Sequence, residues 1–185
     1  MTKKKILIAT GGTGGHIFPA LSLAKNLIKK NYDIILTTDK RGLKYLSDIN
    51  EINLKKITSS PLVKKNIFRL IYSALLIFYA TMTSFLLLSL NRPHIIIGMG
   101  GYSSFPVCIA ATILRIKFII YENNLIIGKA NKYLLHFAEK VFVSYKDLEG
   151  IKEKNIKKVI EVGNIIRKEI IEFNNYDDLK NKFDI

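Results

Sequence analysis

One stretch constrains this chain more than any other. Lys5-Ile6-Leu7-Ile8-Ala9-Thr10 is a continuous apolar run, and it leads into Gly11, Gly12, Gly14 and Gly15, then His16 and Pro19. An apolar run without alternation reads as a parallel strand buried on both faces. Glycines let the backbone approach a ligand closely, and the first N–H groups of a helix point outward with partial positive charge. The stretch therefore predicts a strand, a tight loop and a helix opened by Pro19 over residues 18–30, with an anion such as a phosphate or diphosphate at the loop. His16 ends that loop, where a neutral imidazole can take a proton from an alcohol. Two familiar phosphate loops fail here. The dinucleotide pattern G-x-G-x-x-G can start at Gly12 and Gly14 but meets Ile17 at its third glycine, and no Gly-Lys-Ser/Thr follows the glycines.

The rest of the chain repeats the rhythm. Strands are expected at residues 34–38, 54–58, 94–97, 118–121, 141–144 and 159–162, with helices at 41–49, 70–91, 103–114 and from Gly128 to about residue 137. Strands alternating with helices imply a parallel, doubly wound α/β sheet. Three turns rich in Gly or Asn follow strands: Gly98-Met99-Gly100-Gly101-Tyr102, Glu122-Asn123-Asn124 and Gly163-Asn164. Open α/β sheets bind ligands at such strand ends.

Residues 70–91 carry no charged side chain. The segment is long enough to span a bilayer, but it falls where a crossover helix is due, and Pro93 leads straight into the next strand. Ser73, Ala74, Ala80, Thr81 and Ser84 recur along it at helical spacing. It reads as a crossover helix with an exposed apolar face that dips into the membrane, flanked by Lys64, Lys65, Arg69 and Arg92 for anionic headgroups.

The net charge of +14 falls entirely within residues 1–145. Such a field favours anionic membranes, nucleic acid or phosphorylated substrates. Nucleic acid is disfavoured, because the lysines are scattered and no aromatic-interleaved basic strand or recognition helix is present. Residues 1–5 are basic, but the apolar run after them is too short for a signal peptide, so a cytoplasmic chain is expected. The single cysteine, Cys108, lies in an apolar run and reads as buried. Asp39 reads as a turn or helix cap, and Ser103 as a helix cap, since Phe105 occupies the second glycine of a nucleophile elbow. The three histidines, His16, His94 and His136, lack metal-ligand spacing.

With these residues assembled, the chain resembles the N-terminal domain of the MurG-type glycosyltransferases. The resemblance covers nearly the whole chain. Its carriers are Gly11-Gly12-Thr13-Gly14-Gly15-His16-Ile17-Phe18-Pro19, Gly98-Met99-Gly100-Gly101-Tyr102, Glu122-x-Asn124 with Asn131-Lys132, and Val162-Gly163-Asn164 with Arg167. It implies a Rossmann-like parallel sheet with helices on both faces, the N-terminal half of a GT-B enzyme that inverts the anomeric carbon without metal or cofactor. The implied reaction transfers N-acetylglucosamine from UDP-N-acetylglucosamine to undecaprenyl-diphospho-muramoyl-pentapeptide (lipid I), giving lipid II for peptidoglycan.

By motif match, His16 is the implied base on the acceptor's C4 hydroxyl. Thr13, Gly14, Gly15, Asn124 and Arg167 are to contact the sugar nucleotide or the diphosphates, and Gly100, Gly101, Tyr102 and Glu122 to shape the acceptor side. Residues 1–165 form the implied acceptor-side domain and 166–185 the start of the interdomain linker or helix, with the C-terminal donor-binding domain absent. The expected location is peripheral, on the cytoplasmic face of the inner membrane. The alternative is a non-catalytic, membrane-recruiting subunit that binds the acceptor and pairs with a separate C-terminal donor-binding chain. The family pattern has His-Glu-Gln-Asn where this chain has Tyr121-Glu122-Asn123-Asn124, proline at Ile165 and glycine at Phe105.

Overall fold

The computed structural model describes residues 3–12, 14–46, 49, 51–58 and 66–166. Its elements, in chain order, are β1 (Lys5–Ala9), α1 (Gly14–Lys29), β2 (Asp33–Thr38), α2 (Lys40–Leu43), β3 (Asn53–Lys56), α3 (Ile67–Asn91) and β4 (Ile95–Gly98). They continue with α4 (Ser104–Ile113), β5 (Phe118–Glu122), α5 (Lys129–Leu134), β6 (Lys140–Val143), α6 (Glu153–Ile156) and β7 (Val159–Glu161). The strands form one sheet in the order β3-β2-β1-β4-β5-β6-β7, and every pairing is parallel.

The period-2 geometry of strands divides their side chains between two cores. Leu7, Ala9, Ile35, Ile96, Phe118 and Ile120 face one side with Ala80 and Leu88 of α3 and Val107 and Ala111 of α4. Ile6, Ile8, Ile34, Leu36, Ile97 and Ile119 face the other with Ile17, Ala20 and Ala24 of α1. Continuous apolar strands are what two covered faces require, and the doubly wound sheet read from the sequence is the observed one.

Four local readings are corrected. α1 starts at Gly14, not residue 18, so Gly14, Gly15 and His16 occupy its first turn and Pro19 lies inside the helix. Pro19 has no N–H for the Gly15 carbonyl four residues back, and Asn123 Nδ2 donates to that carbonyl instead, at 3.2 Å. α2 is one turn, not the helix expected over 41–49. Ser103 stands at the N-cap of α4 but makes no side-chain capping bond. Finally, α6 was absent from the sequence reading.

α3 is the β3–β4 crossover. It is 25 residues long, with a mean hydropathy of 1.9 over its most apolar window, so by length and composition it could cross a membrane. Its buried face carries Ser73, Ala80, Thr81, Ser84 and Leu88. The hydroxyls are satisfied within the helix: Thr81 donates to the Ile77 carbonyl at 2.8 Å, Ser84 to the Ala80 carbonyl at 2.6 Å, and Ser73 to the Arg69 carbonyl. The opposite face leaves Phe68, Tyr72, Leu75, Phe78, Leu86 and Leu90 exposed, Phe68 by 80% and Leu90 by 85%. Arg92 ends the helix in the left-handed region (φ 37), and Pro93 turns the chain into β4.

Candidate functional site

β1 and β4 are neighbours in the sheet, yet the chain leaves them in opposite directions, toward β2 and toward β5. Their C-terminal ends therefore form the topological switch point, where α/β sheets open a crevice. The two turns there touch. The Met99 N–H donates to the Ala9 carbonyl at 2.8 Å, and Ser103 Oγ donates to the Thr10 carbonyl at 2.8 Å. The side chain read as a cap thus ties one turn to the other.

The close approach explains the glycines. Gly101 has φ +79, and a Cβ there would collide with the Gly11 backbone; a Cβ at Gly11 would in turn collide with Ser103 Oγ. Gly100 has φ +84, and a Cβ there would lie 2.9 Å from His16 Cε1. Backbone conformation and space both demand glycine at 100 and 101.

His16 sits in the first turn of α1 with its ring against Gly100, and its Nδ1 is buried without a hydrogen-bond partner among the described residues. Burial pushes its pKa below the ordinary 6.5, while the Glu122 carboxylate and a hydrogen bond with the Met99 backbone pull the other way. The net result is an imidazole that is neutral near pH 7 and able to accept a proton. Beside it, the N-terminus of the 16-residue α1 presents the N–H groups and partial positive charge that suit an anion.

Glu122 ends β5 and is 1% exposed. Its carboxylate accepts from the Asn124 N–H at 3.1 Å, Asn124 Nδ2 at 2.7 Å, the Gly128 N–H at 2.8 Å and Asn131 Nδ2 at 3.0 Å. It holds the loop of residues 123–128 in shape, which accounts for Asn124 and Asn131 accompanying it. Tyr102 is exposed beside Gly101. Thr13 and Arg167 lie outside the described residues.

Two departures from the family pattern prove to be one. The Tyr121 hydroxyl donates to the Gly163 carbonyl at 3.2 Å, shares a 2.8 Å hydrogen bond with Ser144 Oγ, and accepts from the Ile165 N–H at 3.1 Å. Proline at 165 would have no N–H to give, so tyrosine at 121 and a non-proline at 165 belong together.

Asp39 is the helix cap read from the sequence. It accepts from the Arg41 and Gly42 N–H groups at 3.0 and 2.9 Å and pairs with Arg41 Nη2 at 2.9 Å. It also takes the Gly12 N–H at 3.4 Å. Burial alone would raise its pKa, but the Gly42 N–H, the Arg41 guanidinium and the Gly12 N–H together hold it below the ordinary carboxylate value. Arg41 itself was missed in the sequence, where it reads as a helix residue. Its Nη2 would lie 3.6 Å from a Cβ at Gly12, which adds a cation beside the first glycine turn. Cys108 is buried as expected, which pushes its thiol up to about 12. His94 Nδ1 accepts from the Lys5 N–H at 3.2 Å.

A doubly wound parallel domain with a helix terminus, a half-buried histidine and two interlocked glycine turns at its switch point is the Rossmann-like half of a GT-B fold. Residues 6–143 match the Glycosyltransferase family 28 N-terminal domain, and the chain belongs to that family. It is 36% identical over 172 residues to the UDP-N-acetylglucosamine--N-acetylmuramyl-(pentapeptide) pyrophosphoryl-undecaprenol N-acetylglucosamine transferase of Rickettsia felis, across 90% of this chain and 45% of that protein. The protein of the same name from Pelagibacter ubique is 37% identical over 159 residues, 85% of this chain and 44% of that one. The chain thus spans about half the length of the curated relatives it matches. Among solved structures, MurG of Acinetobacter baumannii superposes with a TM-score of 0.71 at 23% identity, over 94% of this chain and 50% of that one. UDP-GlcNAc 2-epimerase of Methanocaldococcus jannaschii shares the fold at a TM-score of 0.64 and 19% identity, over 97% of this chain and 52% of that one.

Proposed function

We propose that this domain is the acceptor-side half of an enzyme that transfers N-acetylglucosamine from UDP-N-acetylglucosamine to lipid I, forming lipid II with inversion and without a metal. His16 takes the proton of the acceptor's C4 hydroxyl, and the freed oxygen bonds to the anomeric carbon from the face opposite UDP. The bond from that carbon to the UDP oxygen breaks, and UDP leaves with the electron pair. The N-terminus of α1, with Gly14 and Gly15 in its first turn, offsets the charge that builds on the departing diphosphate. Glu122 and the glycine turn of residues 98–102 hold the acceptor side in shape.

The observation that carries this reading is the neutral, half-buried His16 in the first turn of α1, against Gly100 at the switch point. The relatives' printed names supply the substrates. The exposed apolar face of α3, with Arg69 and Arg92 near its ends, supports peripheral attachment to the cytoplasmic face of the inner membrane. That same face favours the second reading, a membrane-recruiting subunit that binds acceptor and leaves chemistry to a partner chain.

The test is glucosaminyl transfer to a soluble lipid I analogue by this chain alone, and then with the donor-binding domain of a curated relative added. Transfer by the chain alone rules out the subunit reading. Absence of transfer with every donor-binding domain rules out the transferase reading.

A further inference from the structure

A cavity of about 940 Å³ opens between α3, α4 and α5, and of its lining residues only Tyr102 belongs to the site described above. This volume lies toward the upper end of ligand pockets, about 300–1,000 Å³. Ile77 of α3, Phe105 of α4, and Tyr133 and Phe137 on one side of α5 and its exit line it. Tyr133 and Phe137 are 70% and 54% exposed, an unusual state for two aromatics in one recess. Phe105 stands where the family pattern has glycine, so this chain adds a ring to the cavity wall.

The same cavity is lined by Lys129, Lys132 and Lys152, all exposed, and none forms an ion pair among the described residues. Glu149 and Glu153 flank Lys152 in sequence, but neither pairs with the three lysines. Lys158 differs: its ammonium is engaged by the carbonyls of Leu135, His136 and Ala138 at 2.8–3.1 Å. The cavity also adjoins two features already described. Tyr102, next to Gly101 of the switch-point turn, lines it, and so does Ile77 from the middle of α3.

Aromatic walls with unpaired ammonium groups match one kind of ligand, an amphiphile with an apolar chain and an anionic head. A free anion needs no aromatic wall, and an apolar peptide needs no lysines. We propose that this cavity takes the isoprenoid units next to the diphosphate of a polyprenyl diphosphate acceptor, with the lysines neutralising its phosphates. The inference rests on the acceptor reading above, and it gives the lipid a path from the face of α3 to Tyr102.

The experiment is calorimetric titration of the chain with inorganic, dimethylallyl, geranyl and farnesyl diphosphate. Affinity is expected to rise at least tenfold from dimethylallyl to farnesyl diphosphate. Tyr133→Ser with Phe137→Ser removes the aromatic wall without adding charge, and should abolish that rise and leave inorganic diphosphate binding unchanged. Lys129→Glu with Lys132→Glu should weaken all the prenyl diphosphates about equally. Both aromatic positions are exposed, so these variants should keep the wild-type unfolding midpoint; Tyr133→Gln with Phe137→Gln replaces the serine pair if it does not. A flat chain-length series, a rise that survives the aromatic variant, or displacement of farnesyl diphosphate by phosphatidylglycerol vesicles overturns the proposal. A rising series in a chain that transfers no sugar with any donor-binding domain sustains the cavity and removes the transferase. Transfer with a flat series does the reverse.

Discussion

α1 and α3 are both crossover helices of one parallel sheet, and they use their surfaces in opposite ways. α1 buries Ile17, Ala20 and Ala24 against the strands and turns Lys25 and Lys29 to solvent, which is what the fold asks of any covering helix. α3 buries small and hydroxyl side chains and exposes large apolar ones. The fold explains the inner face of α3, where small residues let it pack on α4, but it offers no reason for Phe68, Leu75 or Phe78 to face outward. The proposed function uses the end of α1, where His16 and the first-turn N–H groups meet the switch point, and the side of α3. The two helices pack on opposite faces of the sheet, which separates the proposed chemical role from the proposed surface role.

The largest expected effect tests the α1 end. With a donor-binding domain present, His16→Ala should lower transfer about 10²–10⁴-fold, the range for loss of a general base, while vesicle binding stays at the wild-type level. The α3 side should behave inversely. Leu75→Asp with Phe78→Asp should weaken flotation with anionic vesicles by at least about 100-fold, since two apolar side chains of about 1.5–3 kcal/mol each no longer bury in lipid. Transfer to a soluble acceptor should not change. If the double variant lowers both equally, the separation of roles fails.

Smaller effects concern stability. Gly101→Ala should destabilise the domain by roughly 3 kcal/mol in urea unfolding, from the left-handed backbone and the collision with Gly11. Gly163→Ala has the same sign of φ but nothing within 4 Å of the new Cβ, and should cost only about 1–2 kcal/mol. On α3, Ala80→Leu on the buried face should cost about 1–3 kcal/mol, and Leu75→Ser on the outer face should stay within about 0.5 kcal/mol.

The smallest effect is the pH dependence of stability. The folded pKa of His16 lies below its unfolded value of 6.5, so the unfolded chain binds the proton more readily. Its contribution to stability is complete above 6.5 and is lost as pH falls toward the lowered folded value. His16→Gln should flatten that part of the curve of unfolding midpoint against pH, measured from about pH 5 to pH 8.

The sheet was legible because its strands are continuous apolar runs that end in glycine or asparagine, a pattern set by burial on both faces. The switch-point turns were legible for the same reason, and His16 with them. The start of α1 was hidden because glycine scores as loop and Pro19 as a first helical residue; the bond that tolerates Pro19 inside the helix comes from Asn123, more than a hundred residues away. Ser103 was misread because a serine before a helix usually caps it, whereas here the Thr10 carbonyl lies within its reach. The coupling of Tyr121 to Ile165 could not be read from either position alone. Arg41 carried no signal in the sequence beyond its charge.

The central claim, that a neutral His16 is the base, is tested most directly by the pH dependence of transfer to a soluble lipid I analogue. The rate should rise with pH along an acid limb below 6.5 and be level above it. Glu122→Gln should move this limb to lower pH, because the carboxylate that favours the protonated ring is gone. A limb that lies above 6.5, or one that persists unchanged in the residual activity of His16→Ala, would contradict it.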